Sequence, residues 1–294
     1  MTTRPTQVPL MFADRIELVA TVAAIAWIAL ALATVVARLL PVPRRALVPT
    51  DVVVAGGGTA LLFGAGAALA DHVADGGLGA TPYDSAVWTF AVEHRSAAAT
   101  AIASALRVAG GTGALCVLAG TAGLLLLLRG RRLDAALVVS TPLVSTLLSE
   151  GLKPGYGRLR PPAEAQLIPE TGFSFPSGHT VDATVVLGVL ALVLVVRTVS
   201  RRRRGAIAAV ATLAITAAGA GRVYLGVHWA TDVVAGWLLG AAWVALCAVV
   251  LLVVDGRARR RAVEPVPDHA APTTVTTGPW LADPGPRRPR VSAA

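Results

Sequence analysis

The chain has 294 residues, of which 55% are hydrophobic and 15% are charged, and its mean hydropathy of +0.67 excludes an ordinary soluble domain. The net charge is +9, but the arginines cluster beside apolar runs, which is typical of membrane topology and not of nucleic-acid binding. We therefore expect an all-α fold, a polytopic transmembrane helix bundle that is surrounded by lipid and has no nucleic-acid partner.

Seven apolar runs approach the roughly 20 residues that a helix needs to cross a hydrocarbon core. The second to seventh runs predict a six-span core over residues 50–256, and the first run adds a span in an N-terminal segment, residues 1–49. In chain order the runs cover residues 18–37, 52–70, 108–128, 135–152, 180–196, 206–220 and 233–254.

The first run has a rival interpretation as a signal peptide, because it lies near the N-terminus. It is longer than the roughly 7–15 apolar residues of such a peptide, and no small-residue cleavage site clearly follows it. We therefore favour a helix that is retained in the mature protein.

Three further features of the sequence predict local structure. Residues 71–107 are mixed in polarity and predict an exposed loop with an interfacial helix, although residues 97–106 are apolar enough to enter the membrane as well. Pro142 predicts a kink in the fourth span. Residues 257–294 are rich in proline, threonine and alanine, and this composition predicts a disordered cytoplasmic tail.

Basic clusters give the expected orientation. They follow the first, third, fifth and seventh runs, and the positive-inside rule places all four in the cytoplasm. The polar segments 71–107, 153–179 and 221–232 then face the outer side. Because two spans separate the second of these segments from the third, both open on the same side in either orientation.

The last two polar segments carry the residue types of a phosphate site. Cationic side chains, hydroxyl groups and the free N–H groups of a helix that begins near Gly178 all suit a tetrahedral anion. His228 and Asp232 are four residues apart, so a helix places them on one face, where the carboxylate holds one imidazole nitrogen and leaves the other as a nucleophile or base. The remaining polar residues are Lys153, Arg158, Arg160, Ser177, His179 and Arg222.

Simpler interpretations stand beside this one. A basic residue at a membrane edge contacts lipid headgroups, and Arg158 is open to that interpretation. Glu150 is expected to be a local partner for an arginine or a helix end, with a supporting role in the site as the alternative. Asp182 either orients His179 or faces water. Incidental or packing roles are expected for His72, His94, His269, Cys116 and Cys247.

Three motifs over about residues 50–254 resemble the signature of the type 2 phosphatidic acid phosphatase superfamily, in order and in internal spacing. That superfamily includes the vanadium-dependent haloperoxidases and bacterial acid phosphatases. The third motif usually begins Ser-Arg, whereas Gly221 here brings no hydroxyl, which puts this position in doubt as a binding residue. The motifs are Lys153-x6-Arg160-Pro161, Pro176-Ser177-Gly178-His179 and Arg222-x5-His228-x3-Asp232.

The resemblance implies a role for each matched residue. His228 attacks phosphorus and forms a phosphohistidine, Asp232 holds the useful tautomer of His228, and His179 protonates the leaving oxygen and then activates water. No metal or other cofactor is expected, because cations surround the phosphate and the sequence has no acidic cluster on that face to hold magnesium. The phosphoryl oxygens are held by Lys153, Arg160, Ser177, the Gly178 amide and Arg222.

The combined expectation is an integral lipid phosphatase of the cell membrane, with an active site that faces outside and a lipid phosphate as its substrate. Among lipids we favour polyprenyl diphosphate, the cell-wall carrier, over phosphatidic acid and phosphatidylglycerol phosphate. A phosphotransferase of the same superfamily, which passes the phosphate to an acceptor other than water, stays open. Seven apolar runs disfavour a soluble haloperoxidase, and the lack of paired, interrupted helices in the sequence disfavours a transporter or scaffold.

Overall fold

The structure is a computed structural model, and it describes residues 50–75 and 80–263. The predicted first span at 18–37 lies outside these residues, as does the predicted tail at 257–294 apart from residues 257–263, which are helical and not disordered. The described chain is helical, as the sequence predicts, with nine α-helices and a 3-10 helix at Ala163–Ala165. The α-helices are α1 (Thr50–Asp75), α2 (Pro82–Glu93), α3 (Ala97–Ala109), α4 (Thr112–Leu128), α5 (Arg132–Val139), α6 (Thr141–Tyr156), α7 (Gly178–Arg197), α8 (Arg201–Tyr224) and α9 (Ala230–Val263).

Five stretches of the described chain are long and apolar enough to cross a membrane: α1, α5 together with α6, α7, α8, and the Ala230–Val254 part of α9. The pair α3 and α4 passes the same test, but the two helices are bent by 50° at the break between them. Five spans, or six with the bent pair, confirm the predicted multi-span helix bundle. α9 itself runs on to Val263, past the predicted end of its span at 254 and the predicted core boundary at 256.

The third predicted span differs from the structure. The sequence places one continuous span at 108–128, but the helix breaks at Gly110 and Gly111, between α3 and α4. Glycine is a poor helix former, and two in succession favour such a break. The preceding residues 71–107, predicted as an exposed loop with one interfacial helix, contain both α2 and α3.

A capping box opens α2. Thr81 accepts a hydrogen bond from the Asp84 amide through its hydroxyl at 3.2 Å, and the Thr81 amide donates to Asp84 Oδ2 at 3.1 Å. Pro82 occupies the first turn, where its missing N–H breaks no helical hydrogen bond. The cap also buries Asp84 completely, which matters for the site described below.

The fourth span is interrupted close to the predicted kink. Ser140 separates α5 from α6, and Pro142 lies in the first turn of α6. α6 then continues through Lys153 to Tyr156, so Lys153 lies in the last helical turn and not in a loop as its polar surroundings suggested. Gly157, at φ 59°, ends the helix in the left-handed conformation that glycine adopts without strain.

Two glycines bring α9 against the start of α7. A Cβ on Gly236 would lie 2.8 Å from the Cβ of Thr180, and a Cβ on Gly240 would lie 2.5 Å from the Cβ of Thr184. Side chains do not approach so closely, so these helices keep their spacing only because both positions are glycine. The first turn of α7, which carries His179, therefore packs next to the first turn of α9.

Apolar packing supports the site from two sides. A core cluster joins α4, α5, α7 and α9 and includes Val138 and Cys247, whereas Cys116 is exposed. A second cluster packs the Tyr156 ring edge-on against Phe175, with the ring centroids 5.0 Å apart. This contact ties the end of α6 to the chain just before α7, and so fixes both ends of the polar segment between them.

Candidate active site

The two polar segments meet around a pocket of about 280 Å³. Its lining comes from α4, α6, α7, the segment between α6 and α7, and the turn between α8 and α9. Residues from different predicted motifs therefore lie side by side, although they are far apart in the sequence. The predicted site residues that line this pocket are Lys153, Arg160, Gly178, His179 and His228.

His228 is buried, and its two ring nitrogens have different neighbours. Nδ1 lies 3.3 Å from Asp232 Oδ2, and Nε2 lies 3.0 Å from Arg160 Nη1. Because a guanidinium only donates, Nε2 is the acceptor and the ring proton belongs on Nδ1, where it is donated to Asp232. Burial, helped by the charges of Arg160 and Arg222 and opposed by Asp232, lowers the pKa of His228 to about 4. The imidazole is therefore neutral at pH 7 and keeps a lone pair on Nε2.

Asp232 is fully buried and bonded through both oxygens. Oδ2 accepts a hydrogen bond from the Trp229 amide at 2.9 Å and another from the Ser174 hydroxyl, besides facing His228. Oδ1 accepts from Arg158 Nη1 at 2.5 Å. Asp232 also lies in the first turn of α9, where the helix dipole favours a negative charge. These contacts fix the carboxylate, and through it the orientation of the imidazole.

Arg158 lies at the centre of a buried ionic cluster, so its interpretation as a lipid-headgroup contact is wrong. Only 1% of its side chain is exposed, and its Nη2 donates to Asp84 Oδ2 at 2.6 Å while Nη1 bonds Asp232. The Thr231 amide donates to Asp84 Oδ1 at 2.8 Å. Burial alone raises the pKa of Asp84, but the bonds from Thr231, Arg158 and Thr81 outweigh it and hold this pKa below its usual value. We refer to Asp84, Arg158 and Asp232 as the buried ionic cluster.

The sequence indicates the local surroundings of Asp84 but not its contact with Arg158. Thr81-Pro82 followed by Asp84 is typical of a helix start and predicts a capping box. The contact between Asp84 and Arg158 joins residues 74 positions apart, and neither the spacing nor the hydropathy of the chain indicates it.

Glu170 is the functional residue that the motifs miss most clearly. It contacts both predicted phosphate-binding arginines: Oε1 accepts a short hydrogen bond from Arg222 Nη2, and Oε2 lies 3.6 Å from Arg160 Nη2. Burial alone raises the pKa of Glu170, but the positive charges of Arg222 and Arg160 outweigh it and lower this pKa. In the absence of a ligand, a protein carboxylate therefore occupies the two arginines. The available signal was electrostatic, because several buried cations need a counter-charge.

Lys153 has a carboxylate partner of its own. Its Nζ donates to Glu150 Oε1 at 2.6 Å, so the partner of Glu150 is a lysine and not an arginine or a helix end. A Cβ on Gly178 would lie 3.8 Å from Lys153 Nζ, so the N-terminus of α7 opens directly beside this amine. The free N–H groups of that helix end and the lysine thus face the same volume.

Ser177 and Arg222 are buried beside the pocket and do not line it. The Ser177 hydroxyl accepts a hydrogen bond from Thr180 Oγ1 at 2.9 Å, and the Ser177 amide donates to the Asp232 carbonyl at 3.1 Å. Nε and Nη1 of Arg222 have no hydrogen-bond partner among the described residues. Arg222 therefore has donors to spare for a ligand, and the Ser177 hydroxyl, which only accepts from Thr180, keeps its own O–H as a donor.

Asp182 joins two helices at the wall of the pocket. It is buried, and its Oδ2 accepts a hydrogen bond from Thr112 Oγ1 at 2.7 Å. It therefore ties the first turn of α7 to the first turn of α4, a contact that its spacing from His179 did not indicate.

The other histidines lie apart from the pocket or outside the described residues. His72 and His94 do not line the pocket, and His269 is beyond Val263. Within residues 50–75 and 80–263, no three His, Cys, Asp or Glu side chains converge in a way that could hold a metal ion.

Comparison with known proteins gives a family match over the region of the site. Residues 134–254 match the sequence model of the PAP2 superfamily. The matched segment contains every predicted site residue from Lys153 to Asp232, whereas Asp84 precedes it.

Two curated relatives match part of the chain. Phosphatidylglycerophosphatase B of Bacillus subtilis (strain 168) is 41% identical over 96 residues, which is 32% of this chain and 46% of the relative. An undecaprenyl-diphosphatase of Sulfolobus acidocaldarius is 33% identical over 134 residues, 44% of this chain and 60% of the relative. The matches thus span about half the length of these relatives.

The fold is shared with a solved membrane protein. The crystal structure of a transmembrane PAP2 type phosphatidylglycerolphosphate phosphatase from Bacillus subtilis matches with a TM-score of 0.56 and 27% identity. The match covers 69% of this chain and 96% of that one. The likeness therefore includes the helix bundle around the matched segment and not only its motifs.

Proposed function

We propose that this protein is an integral membrane lipid phosphatase that works through a phosphohistidine on His228. The observation that carries the proposal is the state of this imidazole: buried, neutral, bonded at Nδ1 to a fixed carboxylate, and with Nε2 3.0 Å from Arg160 at a pocket that Lys153 also lines. A neutral imidazole with one nitrogen held by Asp232 is the form that a nucleophile requires. The names of the curated relatives, both lipid phosphatases, support the same reaction class.

In the first step, the Nε2 lone pair of His228 attacks phosphorus, and the bond from phosphorus to the leaving oxygen breaks. The electron pair of that bond stays on the leaving oxygen, which takes a proton from His179 on the wall of the same pocket. Asp232 accepts the hydrogen bond from Nδ1–H and stabilises the positive charge that grows on the ring.

In the second step, a water molecule attacks the phosphohistidine. His179, now neutral, takes a proton from this water, and the bond from phosphorus to Nε2 breaks to return His228 and release inorganic phosphate. The protein supplies positioning and charge stabilisation here, which is most of what phosphoryl transfer needs.

Binding of the phosphate requires an exchange of partners. Arg160 and Arg222 hold Glu170, and Lys153 holds Glu150, in the structure described here. The substrate phosphate replaces these carboxylates as the acceptor, with the amide of Gly178 at the start of α7 as a further donor. The hydroxyl of Ser177 accepts from Thr180 and keeps its own O–H free to donate, but it does not line the pocket, so the amide of its neighbour Gly178 is the stronger candidate.

The substrate we favour is a polyprenyl diphosphate presented at the outer leaflet, with phosphatidylglycerol phosphate and phosphatidic acid as the other candidates. A pocket flanked by membrane-spanning helices lets the lipid tail remain in the bilayer while the phosphate enters. The outward orientation of the pocket follows from the positions of the basic clusters.

Phosphate release by purified protein in detergent tests the proposal. The wild type should release inorganic phosphate from at least one of the three lipid classes with no acceptor present and with excess EDTA. His228→Ala should lower turnover by at least about 1,000-fold, because it removes the nucleophile. Phosphate release by His228→Ala at near wild-type rate, or a strict need for an acceptor lipid, would contradict the proposal.

A further inference from the structure

Arg107, in the last turn of α3, lies outside every motif but faces the helix that carries Arg222. Ala103, Arg107 and Gly110 are spaced i, i+4, i+7, so they share one face of α3. A Cβ on Gly221 would lie 3.9 Å from the Ala103 Cβ, so this face lies against the end of α8.

Gly110, on the same face of α3, also lies against α8. A Cβ on Gly110 would lie 3.7 Å from the Cβ of Ala218 on α8. Arg107, between these two contacts along α3, therefore points toward α8 near Arg222. Gly221 has no side chain, so Arg107 is the polar residue at this contact between α3 and α8.

The start of α7 is bonded to the chain just after Arg107. α4 begins just after the break that follows Arg107, and its Thr112 hydroxyl donates to Asp182, one turn along α7 from His179. The charge of Arg107 acts on both His179 and Arg222. Arg107 thus lies near His179 and Arg222, behind the residues that line the pocket.

Arg107 has an unmet hydrogen-bonding capacity. Its Nε is buried without a hydrogen-bond partner, and no carboxylate of the described residues forms an ion pair with it. A cation at the end of a helix gains from the helix dipole, but that position does not satisfy a buried N–H. Two nitrogens of Arg222 are unpartnered as well, so three buried guanidinium N–H donors of the described chain lie on these two neighbouring arginines.

The unpaired N–H donors of Arg107 and Arg222 need more anionic acceptors than one phosphoryl group provides. The transferred phosphate already has Lys153, Arg160 and Arg222 as partners under the proposed function. We infer that Arg107 binds a second anionic group of the substrate, the lipid-side phosphate of a diphosphate. This inference rests on the proposed phosphatase function and assigns its substrate class.

The chemistry gives Arg107 a role only with a diphosphate. When His228 attacks the terminal phosphorus, the bond to the bridging oxygen breaks and its electron pair remains on that oxygen. The leaving group is then a lipid monophosphate, whose negative charge increases next to Arg107 and is stabilised by the guanidinium. A lipid monophosphate substrate leaves as an alcohol and offers Arg107 no such anion.

The test compares one lipid tail on two headgroups: farnesyl diphosphate and farnesyl monophosphate, with the full-length protein in detergent. Arg107→Gln should lower kcat/KM for the diphosphate by about 10- to 100-fold, the range expected for a lost charged hydrogen bond, and change the monophosphate value much less. Arg107→Lys should retain an intermediate diphosphate activity. Arg129→Gln, at an exposed site after α4, is the matched control and should alter neither substrate.

A second measurement separates substrate contact from a merely structural role. Methylene diphosphonate and inorganic phosphate are used as inhibitors of farnesyl monophosphate hydrolysis, and the Arg variants should lose affinity for the diphosphonate only. Equal losses for both substrates, or for both inhibitors, would overturn the inference and leave the phosphatase proposal intact, as would a wild type that hydrolyses only monophosphates. A wild type that releases no phosphate from any lipid would instead reject the proposed function itself.

Discussion

Two groups of Arg, Lys and carboxylate residues lie within one site but differ in how firmly their charges are paired. In the buried ionic cluster, Arg158 is 1% exposed and its partners Asp84 and Asp232 are 0% exposed. In the second group, which we call the pocket ion pairs, Glu170 is 23% exposed and Glu150 is 58% exposed. The pocket ion pairs consist of Lys153 with Glu150, and of Arg160 and Arg222 with Glu170.

The difference teaches which charges are fixed and which are exchanged. A charge without access to water must keep its partner, because leaving either ion unpaired is costly, so the buried ionic cluster holds Asp232 and thereby His228 in place. The carboxylates of the pocket ion pairs have access to water, so an incoming anion can replace them. Under the proposed function, the buried ionic cluster orients the nucleophile, while the pocket ion pairs keep the phosphate-binding cations neutralised until substrate arrives.

The largest effect is expected when the buried ionic cluster is broken. Arg158→Met leaves Asp84 and Asp232 as unpaired buried carboxylates, and loss of one partner of a buried pair costs about 3–5 kcal/mol. Thermal unfolding in detergent should show a large fall in Tm, with activity lost at the same time. Arg129→Met, at an exposed position, should leave Tm unchanged. A Tm for Arg158→Met equal to that of the control would show that the ion pairs of Arg158 do not stabilise the folded protein.

The pH dependence of stability tests whether His228 is held neutral. Its folded pKa of about 4 is below the unfolded value of about 6.5, so the unfolded state binds more protons between these values. Stability should therefore fall as pH is lowered from about 6.5 toward 4, and more steeply in wild type than in His228→Gln. The measurement is the denaturation midpoint of both proteins over this window. Parallel curves would mean that His228 keeps an ordinary pKa in the folded protein.

An intermediate effect is expected from the pocket ion pairs. Glu170→Gln removes the negative charge that competes with phosphate for Arg160 and Arg222, so vanadate or inorganic phosphate should inhibit about 10-fold more tightly. Arg222 is only 1% exposed, so Tm should fall, but by less than in Arg158→Met because Glu170 itself is 23% exposed. Glu164→Gln changes an exposed glutamate in the same segment and serves as the control. An inhibition constant that is unchanged or higher in Glu170→Gln would show that Glu170 does not compete for the anion.

The smallest effect is expected at Glu150. Its pair with Lys153 is the most exposed of the set, and such pairs contribute about 0–1 kcal/mol to stability. Glu150→Gln should leave Tm almost unchanged and tighten phosphate inhibition less than Glu170→Gln does. A larger effect at Glu150 than at Glu170 would reverse the order that exposure predicts.

The sequence predicts the helix bundle and the residues of the pocket, because both depend on local patterns. Apolar run lengths give the spans, and short motif spacings give Lys153, Arg160, His179 and His228. Glycines on α9 then bring α7 close enough for the motifs to meet, which is a packing effect that no single motif encodes.

The carboxylates that pair with the site's cations could not be predicted in the same way. Glu170 is 52 residues from Arg222, and Asp84 is 74 residues from Arg158, so each contact depends on the folded arrangement. Arg158 is the clearest case, because its place in a basic polar segment suggests exposure to lipid headgroups whereas the fold buries it between two aspartates.

The most direct test of the central claim is to trap the phosphohistidine. Wild-type protein is mixed with a lipid phosphate that carries a radiolabelled terminal phosphate and is quenched during turnover, and the labelled peptide is then mapped. We predict a label that is stable in base and labile in acid, located at His228 in the wild type and absent from His228→Ala. Turnover by the wild type with no label at His228, or a label that persists in His228→Ala, would contradict attack by His228.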